Sequence, residues 1–228
     1  MQTSFDHFQK LIHDYTHVGD VLIVGGGPSL KKFDLSRIQP SSECLVICCN
    51  QAIFQIPQAQ IAHHADYRWW QDYADALKQL DLPLISGCGL GTNQPYPPQQ
   101  VCKLSSINHR NHSQLFVNSE LVYGNNTGLQ ALSMAHLFQP ERIWLMGFDF
   151  QAIDQHSHGY EKLTLESLQH YEKFWGYFLK DFARFEKLKK QQWPHAFPHQ
   201  KPPNIFNLNP QSALKRYPTV EQWPEFLY

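Results

Sequence analysis

The chain has 228 residues, of which 42% are hydrophobic, 14% aromatic and 17% charged, with a formal net charge of −1. That length supports one core-forming domain without staples, and 19 basic against 20 acidic residues leave no basic excess for binding nucleic acid. Disorder, collagen and coiled coil are excluded by the same composition.

Residues 1–19 read as a short amphipathic helix, with Phe5, Phe8, Leu11 and Ile12 at helical spacing. This stretch lacks the basic and apolar blocks of a signal peptide. No run approaches the ~18 apolar residues of a membrane span, so a cytoplasmic location is expected. Five cysteines without a CxxC pair predict reduced thiols and no structural zinc site. The run VLIV at 21–24 predicts a buried strand opening into a glycine-rich turn. Further strands are predicted at 45–49, 61–65, 82–86, 114–118, 142–148 and 204–208. Helical patterns fall at 67–80 and 127–138. The clearest occupies 164–190, where Leu168, Tyr171, Trp175, Phe178, Phe182 and Phe185 form one apolar stripe. That stripe reads as core, or as a surface for self-association into a homo-oligomer. The proline-rich 191–203 and the stretch 88–103 predict loops. Short buried strands alternating with helices predict an α/β class: a Rossmann-like, mainly parallel sheet of about seven strands flanked by helices, with a long aromatic-faced C-terminal helix. The expected domain is single, 1–228, with 151–203 as a helical and loop insertion before the last strand.

In such a fold the ligand sits beyond the carboxyl ends of the strands, so the residues following each strand are the informative ones. After the first come Gly25, Gly26 and Gly27, then Pro28 and Ser29. Glycines let a backbone approach an anion closely, and proline suits the first turn of a phosphate-binding helix. The same residues also make a tight turn with no ligand. After the second strand stands Asn50, where a dinucleotide-binding dehydrogenase would place an acid. An amide there can bond a ribose, a base edge or a sugar, or only the local backbone. Asp66 follows the third strand, either as a site acid or as the N-cap of the next helix. His63 and His64 are adjacent on that strand and face opposite ways, so they form no paired metal site. Asn125, Asn126, Thr127 and Gly128 precede a helix and suit a nucleotide or sugar phosphate as well as plain capping. After the sixth strand stands Asp149, followed by His156 and His158 in a polar loop. A loop histidine titrates near neutrality and suits general acid–base work. No GxSxG elbow occurs, which disfavours a serine hydrolase.

Taken in order, VLIVGGGPSLKKFDLSRI, VICCNQAIF, GNNTGLQALSMAHLF, RIWLMGFDF and IFNLNPQSALKRYP resemble the bacterial sialyltransferases that extend lipooligosaccharide. The same order is similar to the motility accessory factor family and to archaeal hydroxymethylpterin pyrophosphokinases. It also resembles uncharacterised phage and prophage proteins that carry GGGPSL, an ADxRWW segment and a Gly-x-Asp before a histidine-rich loop. The resemblance covers most of 20–220. The sialyltransferase resemblance implies metal-independent transfer of an acidic, sialic-acid-like sugar from a CMP-linked donor to a hydroxyl of a glycan or glycolipid. No cofactor is required. It places the turn from Gly25 to Ser29 at the donor phosphate, Asn50 at the donor sugar or nucleotide, and the turn at Asn126, Thr127 and Gly128 at the nucleotide. His156 or His158 becomes the base, and Tyr160 the nearest candidate for a tyrosine on the leaving group. Two other readings stand beside it. One is pyrophosphoryl transfer from a nucleoside triphosphate, with Mg²⁺ held by Asp66 and Asp149. The other is a nucleotide- or sugar-binding protein of phage or prophage origin without turnover.

Overall fold

The computed structural model describes residues 3–89, 95–107, 114–158, 165–220 and 224, with the backbone alone of 165–170. One eight-stranded sheet runs through these residues, and every pairing in it is parallel. Its strands are β1 (Asp20–Val24), β2 (Cys44–Cys49), β3 (Ile61–His64), β4 (Leu84–Gly89), β5 (Val101–Ile107), β6 (Leu121–Tyr123), β7 (Arg142–Met146) and β8 (Asn204–Asn207). The helices are α1 (Ser4–Asp14), α2 (Tyr67–Leu77), α3 (Thr127–Ala135) and α4 (Leu165–Ala196).

The strand order is β6-β5-β4-β3-β2-β1-β7-β8. The chain therefore walks outward from β1 to β6, then returns to the far side of β1. That reversal between β1 and β7 is the topological switch point, where doubly wound folds open a ligand crevice. Alternate strand residues serve the two faces, as the period of a pleated strand requires. Val21, Ile23, Leu45, Ile47 and Ile61 pack with residues of α1, α3 and α4, whereas Leu22, Val24, Val46, Cys48 and Ala62 pack with Leu77 of α2. Both faces are thus covered, which is why the central strands read as unbroken apolar runs.

The register of β1 against β7 is held at the amino ends of the strands by Asp20. Its carboxylate accepts from Arg142 Nε at 2.7 Å, Arg142 Nη2 at 2.8 Å and Trp144 Nε1 at 2.6 Å. All five cysteines are buried, and none forms a disulfide among the described residues. No helix of the described residues is long and apolar enough to cross a membrane.

Four elements differ from expectation. The strand predicted at 114–118 is a turn, because Leu115 and Phe116 are both buried side by side rather than alternating across a sheet. Two strands were missed: β5, inside the stretch read partly as a loop, whose burial is broken by exposed Lys103 and half-buried Ser105 and Ser106, and β6, whose three residues Leu121–Tyr123 are too short a run to stand out. The helix predicted to end at 190 continues to Ala196 with Pro194 in its last turn. A proline so near the end removes only one ladder bond. Trp193 anchors that turn, donating from Nε1 to the Gln200 carbonyl at 2.9 Å and packing on Phe116, His136 and Phe197. In the aromatic stripe, Phe182 and Phe185 lie in the core as predicted, while Leu168 has its side chain outside the described residues.

Candidate active site

A cavity of about 670 Å³ opens at the switch point, in the size range of small-molecule sites. The carboxyl ends of β1, β2, β3 and β7 reach it, as does the turn between β6 and α3. Gly25, Gly26, Gly27, Asn50, Asp66, Asn125, Asn126, Thr127, Gly128, Asp149 and His158 all line it. Residues expected at strand tips scattered over more than a hundred positions are therefore brought to one place. Ser29 and His156 are not among the described lining residues. Tyr160 lies outside the described residues.

The glycine-rich turn is shaped by the neighbouring strand tip. Gly25 N–H donates to the Met146 carbonyl at 2.7 Å and Gly27 N–H to the Gly147 carbonyl at 2.8 Å. A Cβ on Gly27 would sit 2.5 Å from Asp149 Oδ2 and 2.6 Å from the Gly147 carbonyl oxygen. The glycines thus admit their own chain, and Gly26 is the member of the trio left half-exposed toward the cavity. A short 3₁₀ helix, Pro28–Lys32, follows in place of a longer α-helix.

Ser29 and Asp149 meet across 120 residues of sequence. The Asp149 carboxylate accepts from Ser29 N–H at 2.7 Å, from Ser29 Oγ at 2.6 Å and from Asn209 Nδ2 at 2.6 Å. All three residues are buried. This cluster ties the β1 turn, the β7 tip and the segment after β8 together beneath the cavity. Ser29 offers its hydroxyl proton to that carboxylate rather than to a ligand, and Asp149 is already met by three donors.

Asn50 adopts φ 51°, a left-handed conformation that asparagine tolerates better than most residues. Its Oδ1 is buried without a hydrogen-bond partner among the described residues. A buried amide oxygen in that state costs about 1–3 kcal/mol unless a ligand or water supplies a donor. Beside it, burial pushes the Cys49 thiol up to about 12, so it is no nucleophile at neutral pH. Asp66 caps α2, its Oδ1 accepting from Arg68 N–H at 2.9 Å, while still lining the cavity. Asn126 caps α3 through Leu129 N–H at 3.0 Å and donates from Nδ2 to Asn125 Oδ1 at 3.0 Å. For these two positions, capping and lining the cavity coexist.

Beneath the Asn125–Asn126 turn lies a second buried network. Gln130 Nε2 donates to Ser106 Oγ and to the Gly124 carbonyl, each at 3.1 Å, so its Oε1 faces His63 Nε2 at 3.2 Å. Burial holds the His63 imidazole neutral, lowering its pKa to about 4. The network fixes the turn from below and joins β3, β5, α3 and Gly124, the residue after β6.

The loop after β7 reverses at Asp154 and Gln155, both at positive φ (50° and 63°), with paired bonds between Ile153 and His156. The two central residues at positive φ form a tight primed turn. His156 turns its Nδ1 to the Asp154 carbonyl at 2.8 Å. His158 instead lines the cavity, with Nδ1 at 2.6 Å from Ser157 Oγ.

Tyr171, Trp175 and Phe178 also line the cavity. The stripe read as core is therefore divided: its buried C-terminal half is core and its N-terminal half faces the site. The signal that could have revealed this is position, because α4 begins directly after the histidine loop that follows β7. Tyr67 and Arg68, on the first turn of α2, were likewise not anticipated as lining residues.

The chain thus defines a doubly wound parallel α/β protein with a polar crevice at its switch point. Its fold is similar to that of the sialyltransferase CstII from Campylobacter jejuni in complex with a substrate analogue, cytidine-5'-monophosphate: TM-score 0.51, 16% identity, covering 91% of this chain and 86% of that one. A second structure, the sialyltransferase CST-II in complex with trisaccharide acceptor and CMP, matches at TM-score 0.47 and 15% identity, covering 92% and 88%. No family model matches the sequence, and no curated protein matches it.

Proposed function

We propose that the chain is a glycosyltransferase that moves an acidic, sialic-acid-like sugar from a CMP-activated donor to an acceptor hydroxyl. The observation that carries this reading is the single crevice in which amide-bearing turns from β2 and β6 face a loop histidine. The unpartnered Oδ1 of Asn50 accepts from a donor group of the nucleotide or sugar, and the turn at Asn126, Thr127 and Gly128 holds the nucleotide. The fold shared with a solved CMP complex supports the choice of nucleotide.

His158 serves as the general base in this proposal. When its Nδ1–H donates to Ser157 Oγ, Nε2 is the basic nitrogen of the ring. The anomeric carbon–oxygen bond of the donor breaks with its electron pair leaving on CMP. The acceptor oxygen then bonds to that carbon, and its proton passes to Nε2. Asp149, met by three buried donors, and Asp66, capping α2, are poor candidates to clamp Mg²⁺ in a pyrophosphoryl transfer. Transfer from a nucleotide sugar fits the residues better.

The test is release of CMP from CMP-N-acetylneuraminic acid in the presence of a glycan acceptor. Loss of a positioned base lowers turnover by about 10²–10⁴-fold, so His158→Ala is expected to fall in that range with CMP affinity unchanged. His156→Ala is expected to stay near the unaltered rate. Equal rates for the unaltered chain and His158→Ala contradict the assignment.

A further inference from the structure

We infer that Arg68 recognises the donor phosphate and that this salt bridge, rather than the glycine-rich turn, is the anion-binding element of the cavity. The inference rests on the nucleotide reading above and adds to it the residue that selects for charge. Arg68 carries the only fixed positive charge among the described residues lining the cavity. The fixed negative charges there are Asp66 and Asp149. Asp149 is enclosed by its three donors, so it presents little charge to a ligand.

The turn expected to hold phosphate is otherwise engaged. The amides of Gly25 and Gly27 bond to the β7 tip, Pro28 has none, and the Ser29 amide and hydroxyl bond to Asp149. Five consecutive positions leave the amide of Gly26 for an anion, which is too little to hold a phosphate by itself. Arg68 is placed to supply the missing charge. It sits in the first turn of α2, its own amide fixed by Asp66, and its side chain is exposed at the cavity with no ion pair to another described residue. A guanidinium matches a phosphate with two parallel donors and stays charged at every working pH. The nearby Asp66 carboxylate engages only the Arg68 backbone, so the guanidinium is not neutralised by the cap.

Calorimetric titration with CMP, cytidine and CMP-N-acetylneuraminic acid tests this on the full chain and on Arg68→Gln and Arg68→Lys. The unaltered chain is expected to bind CMP more tightly than cytidine. Arg68→Gln should weaken CMP about tenfold, equivalent to about 1.4 kcal/mol, with cytidine affinity unchanged. Arg68→Lys should recover part of the loss. Since the side chain is exposed, thermal midpoints should match, which excludes misfolding as the cause. An unchanged CMP-to-cytidine ratio in Arg68→Gln overturns the inference and leaves the nucleotide reading standing. Weakening of the nucleotide sugar alone, with CMP unaffected, moves Arg68 to the sugar carboxylate and overturns the phosphate assignment. Failure of the unaltered chain to bind both CMP and cytidine overturns the nucleotide reading and this inference together.

Discussion

Replacing Asp149 with alanine is expected to lower the thermal midpoint of unfolding by roughly 6–12 °C. The substitution removes the acceptor for Ser29 N–H, Ser29 Oγ and Asn209 Nδ2 at once, and all of them are buried. Each buried group left unmet costs about 1–3 kcal/mol, and such losses do not add fully. A total near 3 kcal/mol shifts the midpoint of a chain of this length by about 2–4 °C per kcal/mol. Asp149→Asn keeps the volume but turns an amide N–H₂ toward one of the three donors, so it should also destabilise. Circular dichroism melts of the two variants decide the matter. A shift of under 2 °C for both would mean that the cluster is not what holds the β1 turn against the β7 tip.

Acid is expected to destabilise the chain steeply below pH 6.5, well before most carboxylates titrate. Three histidines are buried in neutral form. Burial lowers His63 to about 4, lowers His64 to about 3, and depresses His136 strongly within its cage of Phe116, Phe185 and Trp193. In the unfolded chain each returns to about 6.5. Above that value both states are neutral and the histidines impose no pH dependence. As the pH falls below it, the unfolded state binds protons that the folded state refuses, so stability drops. The slope is about 1.4 kcal/mol per pH unit for each histidine, hence roughly 4 for the three, and for His63 it ends only near pH 4. One pH unit therefore removes a large part of a typical 5–15 kcal/mol stability. Urea unfolding at pH 7.5, 6.5 and 5.5 measures this. A free energy that stays level across those points contradicts the neutral burial of these rings.

The sheet was legible because both of its faces are covered. Strands such as 21–24, 45–49 and 143–146 are continuous apolar runs, and the turns after them mark the switch point. The fifth and sixth strands were not legible: VCKLSSI alternates around Lys103 and two serines and carries no such run, and the sixth is only the three residues Leu121–Tyr123. Leu115 and Phe116 misled in the opposite sense: two buried residues in a turn look like part of a strand.

The site divides along a similar line. That the residues after the strands converge on one cavity followed from chain order, because every strand tip points to the same edge of a parallel sheet. The division of labour within it did not. Nothing local to GGGPS tells that Gly25 and Gly27 close on the β7 tip, or that Ser29 bonds a carboxylate 120 positions away. The cavity-facing half of the α4 stripe was equally hidden. Helical spacing reports which residues share a face, and the site draws on the same face as the core. The helical pattern at 67–80 did not single out Arg68, whose place at the cavity depends on where α2 begins beside the tip of β3.

Hydrogen–deuterium exchange with and without saturating CMP measures most directly whether the switch-point crevice is the nucleotide site. Slowed exchange is expected, confined to the backbone around Gly26, Asn50, Arg68 and the turn from Asn125 to Gly128. Protection centred on a different surface, or identical exchange in both samples, would contradict it.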